Sequence, residues 1–170
     1  MDCARGHRQS FEPLVERYYK VLFNVALRLV HDYDEALDVT QTTFMKAFEK
    51  IDTFDPKHKF FSWIYRILLN ESLNQLSRRK PKEPLDPGLV AGGDSPEEAY
   101  DLQRLSDRVQ AGLTHLSLEH RQVLVLRHFA DLSYKEIGSI LSIPEKTVKS
   151  RLFSARRQLC AVLSRGRATT

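Results

Sequence analysis

Apolar residues recur every three or four positions through most of this chain, a spacing that predicts amphipathic helices. Residues 10–30 carry one such face, made of Phe11, Leu14, Tyr18, Leu22, Val25 and Leu29. Residues 32–51 carry a second, made of Leu37, Thr40, Phe44, Phe48 and Ile51. Residues 59–80 are apolar around more than one face, which predicts the central helix of its lobe. No segment alternates with the period of a strand, so the pattern predicts an all-α fold.

The second half of the chain predicts four further helices, at 95–116, 118–129 and 134–141 and from Pro144 onward. Ser117 is placed to cap the second of them. Ser133 with Glu136, and Asp32 with Glu35 in the first half, have the spacing of capping boxes. Pro144 fits the first turn of the last helix, where its missing N–H is not needed.

Residues 80–99 separate two lobes. This stretch holds four of the seven prolines and three of the seven glycines, so it predicts a flexible linker. The predicted organisation is two small helical domains, residues 1–80 and 100–170, joined by a linker at 81–99.

Positive charge is unevenly distributed along the chain. Residues 1–80 carry 13 Lys/Arg and 11 Asp/Glu, residues 81–100 carry 1 and 5, and residues 101–170 carry 12 and 6. The excess in the C-terminal lobe is typical of a module that binds a polyanion.

Cysteine and apolar content indicate the compartment. Cys3 and Cys160 lie near opposite ends of the chain, which predicts no disulfide framework, and Cys160 is interpreted as a small buried residue. No apolar run reaches the roughly 20 residues of a membrane span, and the N-terminus lacks an apolar signal core. We therefore expect a cytoplasmic protein without membrane insertion.

The last helix separates cleanly into two faces. At 100° per residue, Val148, Leu152, Ala155 and Leu159 form a buried line. The opposite side presents Lys146, Ser150, Phe153 and Arg157, flanked by Thr147, Lys149 and Ser154. With the preceding helix and a short turn at 142–144, this pattern predicts a DNA-binding helix-turn-helix. The alternative is a solvated basic face on a purely structural helix.

A second polar line follows the helix at 59–80. It consists of Trp63, Arg66, Asn70 and Asn74, ends at Arg78, Arg79 and Lys80, and is preceded by a loop with Lys57, His58, Lys59, Phe60 and Phe61. An aromatic ring beside amides and a guanidinium group can stack on an unpaired base and bond its edges. The alternative is a core aromatic residue with surface amides around it.

Three segments together resemble the extracytoplasmic-function (ECF, group IV) sigma factors of bacterial RNA polymerase. They are DYDEALDVTQTTFMKAFEKI (32–51), FFSWIYRILLNESLNQLSRRK (60–80) and LSYKEIGSILSIPEKTVKSRLFSARRQL (132–159). They occur in the family's order, on either side of the predicted linker. Gly138 and Ser142 stand where the family usually has Ala and Gly, and Gly inside a helix costs about 1 kcal/mol relative to Ala.

The resemblance implies a role for each surface. The first domain would be sigma region 2, whose residues Asp38, Gln41 and Phe44 match the helix that docks on the clamp coiled coil of the polymerase core. Its −10 residues would be Lys57, Lys59, Phe60, Trp63, Arg66, Asn70, Asn74, Arg78 and Arg79. The second domain would be region 4, and its −35 residues would be Lys146, Thr147, Lys149, Ser150, Arg151, Ser154, Arg156 and Arg157.

The same resemblance implies that promoter DNA, core polymerase and an anti-sigma factor are the partners of a chain that is monomeric when free. Two promoter elements about 25 base pairs apart are separated by about 85 Å. Two lobes on a linker of about 20 residues span this only when the linker is nearly extended. We therefore expect the free protein to be compact and the core to hold its lobes apart.

Three other interpretations fit the sequence less well. An ordinary helix-turn-helix regulator leaves the first lobe without a role, and the chain shows no dimer element. An enzyme is disfavoured because the six histidines form no metal-ligand pattern and no glycine loop cradles a phosphate, so no catalytic residue, metal or cofactor is expected. A degenerate adaptor without DNA binding is disfavoured by the intact basic face of the last helix.

Overall fold

The computed structural model describes residues 11–79 and 97–165, and it describes the side chains of the second stretch from Ser106 onward. The helices are α1 (Glu12–Val30), α2 (Tyr33–Glu49), α3 (Phe60–Arg78), α4 (Glu97–Thr114), α5 (Leu118–His128), α6 (Tyr134–Leu141) and α7 (Glu145–Arg165), with a 3-10 turn at Ile51–Thr53. Every regular element in these residues is helical, which confirms the all-α prediction.

Most of the predicted linker at 81–99 lies outside the described residues, as do Cys3 and Lys80. Helix α4 begins at Glu97, inside the last three residues of the range assigned to the linker.

The N-terminal lobe is a three-helix unit in which α1, α2 and α3 each contact the other two. The face predicted for α1 is confirmed, since Leu22, Val25 and Leu29 are almost fully buried. Helix α3 contributes Ile64 and Leu68 to the same core. Burial of such side chains stabilises the lobe by about 1.5–3 kcal/mol each.

Two buried hydroxyl groups lie on α2. Thr40 Oγ1 donates to the Ala36 carbonyl and Thr43 Oγ1 to the Val39 carbonyl, both at 2.7 Å. Because each hydroxyl bonds one turn back along its own helix, the apolar stripe accommodates it without an unsatisfied polar group.

The C-terminal lobe is built around α7, which contacts α4, α5 and α6. Val148, Leu152 and Ala155 of α7 are buried, as are Leu126 of α5 and Ile137 of α6. The predicted buried line is therefore confirmed over its first three residues, and Leu159 continues it partly buried.

Helix starts follow the predicted caps, with two differences. Ser117 accepts from the His120 amide, and Ser133 and Glu136 form the complete capping box. Asp32 accepts from the Glu35 amide at 3.0 Å, but the Glu35 carboxylate is bonded to Arg79. Pro144 lies one residue before α7 rather than in its first turn, and its carbonyl accepts from the Thr147 and Val148 amides.

Within the residues that the structure describes, the two lobes touch at two places, which we call the α1 contact and the α3 contact. In the α1 contact, Arg28 donates to Gln110 at 2.8 Å and to Ser106 at 3.1 Å, and Arg121 donates to the Leu29 carbonyl at 2.9 Å. The α3 contact joins Lys59 to Glu136 and Arg66 to the Ser139 carbonyl.

Candidate nucleic-acid interface

Helix α7 presents a continuous polar face because its opposite face is held in the core. Lys146, Lys149, Ser150 and Arg157 are exposed, and Thr147 and Ser154 are half-buried at the edges of the face. This arrangement places cations and short neutral side chains on one accessible surface. Such a surface suits the major groove of duplex DNA, where cations bind phosphates and short polar groups contact base edges.

The turn between α6 and α7 fixes how this face is presented. Ser142 has φ 56°, the left-handed conformation that ends many helices, and its amide bonds the Gly138 carbonyl. The Ile143 amide donates to the same carbonyl at 3.0 Å. A Cβ on Gly138 would lie 2.8 Å from the Ile143 carbonyl oxygen, so the turn approaches α6 more closely than an alanine allows. Helix propensity favours alanine over glycine at position 138, but an alanine side chain would collide with this turn. The steric requirement therefore offsets the cost in propensity.

Three cations of α7 already have partners in the protein. Lys149 pairs with Glu145 at 3.2 Å, within the helix. Arg151 pairs with Glu119 of α5 at 2.8 Å. A guanidinium nitrogen of Arg156 lies 3.3 Å from Nε2 of His128, which is also on α5. Arg151 and Arg156 therefore also hold α7 against α5, whereas Arg157 projects over the exposed ring of Phe153, 5.8 Å from its centroid.

Phe153 is a functional candidate that the set of predicted −35 residues omits. Its side chain is 64% exposed in the middle of the polar face of α7. An exposed aromatic residue there can contact the C5-methyl group of thymine. The signal was present in the sequence, because Phe153 falls opposite the buried line on the helical wheel.

On the N-terminal lobe, the predicted −10 residues follow one exposed line along α3. Arg66, Asn70 and Asn74 are exposed, and Arg78 continues the line at the end of the helix. Trp63 stands at the head of the line, half-buried.

An aromatic cluster supports the head of this line. The Phe60 ring lies 5.5 Å from Tyr18, 5.6 Å from Phe54 and 5.6 Å from Trp63, between ring centroids. Phe60 is thus chiefly a packing residue, and Trp63 packs against it while remaining partly exposed.

The remaining −10 candidates differ in accessibility. Lys57 is exposed in the loop before α3, where its amide donates to Asp55 at 2.9 Å. Arg79 is turned inward, onto the Glu35 carboxylate and the Val30 carbonyl. Its guanidinium group therefore joins the end of α3 to the start of α2 and the end of α1.

The predicted core-binding residues do not share one face of α2. Asp38 and Gln41 are exposed, but Phe44 is only 7% exposed and packs edge-on against Phe11. Met45, one position further, is 63% exposed beside Gln41. The exposed stripe of α2 therefore consists of Asp34, Asp38, Gln41 and Met45. Met45 is not among the core-binding residues predicted from the family motif.

Glu136 sets the electrostatics where the lobes meet at the α3 contact. Its Oε2 accepts from the Ser133 amide at 2.9 Å, and its Oε1 pairs with Lys59 at 2.8 Å. The bond from Lys59, with the two bonds from Ser133, lowers the pKa of Glu136 to about 2.

His31 lies at the α1 contact, at the left-handed end of α1. Its Nδ1 is 2.7 Å from Gln110 Nε2, and its Nε2 has no hydrogen-bond partner. Burial, followed by the nearby guanidinium groups of Arg121, Arg79 and Arg28, lowers the pKa of His31 to about 3. The imidazole is therefore neutral at physiological pH.

Cys160 is exposed, so its assignment as a buried residue is wrong; it lies about 120° around α7 from Val148 and the buried line. No three His, Cys, Asp or Glu side chains of residues 11–79 and 106–165 converge as a metal site would require. None of the helices in the part of the chain that the structure describes has the length and apolar character to cross a membrane.

Comparison with known proteins accounts for both lobes. Residues 14–81 match the family described as Sigma-70 region 2, and residues 106–159 match Sigma-70, region 4. The ECF RNA polymerase sigma factor SigW of Bacillus subtilis is 33% identical over 167 residues, covering 91% of this chain and 89% of that protein.

Solved structures show a similar arrangement of helices. CnrH, in complex with the cytosolic domain of CnrY, aligns with a TM-score of 0.76 and 27% identity over 99% of this chain and 94% of that one. RpoE of Bartonella quintana, in complex with the anti-sigma factor NepR, aligns with a TM-score of 0.72 and 23% identity over 92% of this chain and 98% of that one.

Proposed function

The chain belongs to the ECF sigma factors of RNA polymerase, and from this premise we propose which of its surfaces binds the polymerase and which bind the promoter. Sigma factors regulate transcription by directing core polymerase to promoters. The observation that carries the proposal is that the polar lines of α3 and α7 are both exposed while the opposite faces of these helices form the two cores.

Duplex recognition is assigned to α7. Thr147, Ser150, Ser154 and Phe153 are the groups placed to contact base edges, and Lys146, Lys149 and Arg157 are placed to bind phosphates. Arg151 and Arg156 contribute positive charge at the margin of the face while fixing α7 on α5.

Recognition of the opened −10 strand is assigned to α3 and the loop before it. Trp63 offers a partly exposed ring on which a base can stack, and Asn70 and Asn74 offer amides to base edges. Lys57, Lys59, Arg66 and Arg78 supply cations for the strand's phosphates. Phe60 and Arg79 support this surface from beneath.

Core polymerase is assigned to the exposed stripe of α2. Asp38, Gln41 and Met45 would contact the clamp coiled coil, and Phe44 would hold the stripe in place from inside the lobe. We propose that the protein acts in the bacterial cytoplasm, that it is monomeric when free, that it has no catalytic residue or cofactor, and that an anti-sigma factor controls it. The last point is supported by the fold that it shares with RpoE bound to NepR.

Run-off transcription with core polymerase on a library of candidate promoters tests the proposal. Protein-dependent initiation from defined start sites is the expected result. Binding to core without any transcript would favour an adaptor. Binding to DNA without binding to core would favour an ordinary helix-turn-helix regulator.

A further inference from the structure

Helix α6 lies across the head of the surface assigned to the −10 strand. In the α3 contact, Lys59 pairs with Glu136 near the start of α6, and Arg66 donates to the Ser139 carbonyl near its end. Lys59 and Arg66 are seven residues apart, two turns along α3, so the contact extends about 10 Å along that helix. The two cations thus face two negative groups of one short helix.

Each of these acceptors is negative for a local reason. Lys59 and the capping box with Ser133 fix Glu136 as a carboxylate and lower its pKa to about 2. Ser139 belongs to the last turn of α6, whose carbonyl groups lack helical partners and carry the negative end of the helix dipole. A carboxylate and a helix end therefore occupy the places where a nucleic-acid strand would bring phosphate oxygens.

We propose that α6 is an autoinhibitory element that binds Lys59 and Arg66 in place of the phosphates of the −10 strand, so that the free protein is closed and the strand must displace α6. This inference rests on the assignment of α3 to the −10 strand. It goes beyond that assignment by naming the segment that blocks the surface.

The two contacts between the lobes differ in strength. Lys59 is 68% exposed, and an exposed ion pair contributes little net stability, so the α3 contact yields readily to a competing polyanion. The α1 contact contains several partly buried bonds, among them Gln110 Nε2 to the Leu27 carbonyl at 2.9 Å, and it places Arg28 4.7 Å from the centroid of the Phe129 ring. The α1 contact therefore holds the lobes together while the α3 contact covers the DNA surface.

The polar face of α7 is exposed in this closed arrangement. Closure therefore acts on the −10 surface selectively and leaves the −35 surface free. An inhibited protein of this kind still binds duplex DNA but binds single strands weakly.

Two substitutions open the protein without altering a residue assigned to DNA. Glu136→Gln removes the charge that faces Lys59, and glutamine still completes a capping box. Gln110→Ala removes the bonds to Arg28, His31 and the Leu27 carbonyl in the α1 contact. Asp131→Asn is the matched control, because Asp131 carries the same charge in the same lobe, is 96% exposed and pairs with Arg127 of α5.

The first measurement is small-angle X-ray scattering of the full chain. A closed chain of this length has a radius of gyration near 16 Å, and two lobes separated by a flexible linker give about 28 Å. We expect wild type and Asp131→Asn to stay below about 20 Å and the Glu136→Gln, Gln110→Ala double variant to rise above it. A wild type near 28 Å, or a double variant as compact as wild type, overturns the proposal.

The second measurement is fluorescence anisotropy with a labelled single strand of random sequence, about 20 nucleotides long, in excess unlabelled duplex that occupies α7. Glu136→Gln should bind the strand about twofold to fivefold more tightly than Asp131→Asn does, and the double variant should bind it more tightly still. Equal affinities for all variants contradict the role of α6.

Run-off transcription with saturating core separates the two proposals. If all variants transcribe alike while wild type is open in solution, the sigma assignment stands and autoinhibition is refuted. If no variant transcribes while the scattering shows closure, the functional assignment fails and the closed arrangement stands.

Discussion

At the scale of single residues, Thr147 and Arg157 lie on the DNA face of α7 but offer different chemistry. Arg157→Ala should weaken binding to every duplex and reduce the slope of log affinity against log salt by about 1, because one phosphate contact is lost. Thr147→Ala should change the preferred −35 sequence at nearly constant charge. Anisotropy titrations on cognate and scrambled duplexes, at several salt concentrations, distinguish the two effects. Equal losses on both duplexes for both variants would refute these roles.

Phe153 makes a different kind of prediction, because its ring is neutral. Phe153→Ala should weaken binding to the cognate −35 duplex about fivefold to tenfold, through loss of apolar contact with a base, and should affect a scrambled duplex much less. Phe153→Leu retains an apolar side chain and serves as the control. The assignment is wrong if Phe153→Ala binds the cognate duplex as wild type does.

At the scale of elements, the helix-turn-helix depends on one close approach and one left-handed residue. Gly138→Ala should destabilise the protein by about 1–3 kcal/mol, since the new Cβ would lie 2.8 Å from the Ile143 carbonyl oxygen. Ser142→Gly should stabilise it by up to about 1 kcal/mol, because glycine adopts φ 56° without steric cost. Urea denaturation measures both. Ser139→Ala, at an exposed position of α6, is the control and should change stability by only a few tenths of a kcal/mol.

The sequence predicted elements well because each depends on its own neighbours. Apolar spacing located α1 and the buried line of α7, and cap residues located the start of α6. The environments of individual side chains were less predictable where partners come from distant segments. Phe44 matches a position of the family motif that binds the polymerase, yet it packs inside the lobe. Arg79 is a cation at the end of a predicted DNA-binding line, yet its guanidinium group bonds Glu35.

Contacts between the lobes were not predictable at all from periodicity. Lys59 and Glu136 are separated by 77 positions, and no local pattern joins a lysine in one lobe to a capping residue in the other. Linker length alone predicts a compact free protein, but it identifies no residues that would hold the lobes together. The α1 and α3 contacts supply those residues.

At the scale of the whole molecule, His31 couples pH to stability. Its pKa is about 3 in the folded protein and about 6.5 in an unfolded chain. As pH falls from 7 to 5, the unfolded chain therefore takes up a proton that the folded protein does not, and stability decreases by up to about 2 kcal/mol. Protonation of Glu136 lowers the stability of the folded protein further, but only as pH falls below about 4.5 toward 2.

His31→Asn should remove the first of these losses, and asparagine tolerates the left-handed conformation at this position. Urea denaturation at pH 5, 6 and 7 measures the effect as the difference between the slopes of stability against pH. Parallel slopes for wild type and His31→Asn would show that protonation of His31 does not limit folding in this range.

Arg121 donates to the Leu113, Thr114 and Leu116 carbonyls around the end of α4 and to the Leu29 carbonyl at the end of α1. One planar guanidinium group thus closes two helix ends from different lobes, a geometry that an ammonium group cannot reproduce. When one helix end frays, the Arg121 guanidinium group loses its position and its hydrogen bonds to the other helix end weaken. The two ends should therefore open as one cooperative unit. In hydrogen–deuterium exchange, the amides at these two ends should exchange at a common rate, and in Arg121→Lys they should exchange independently.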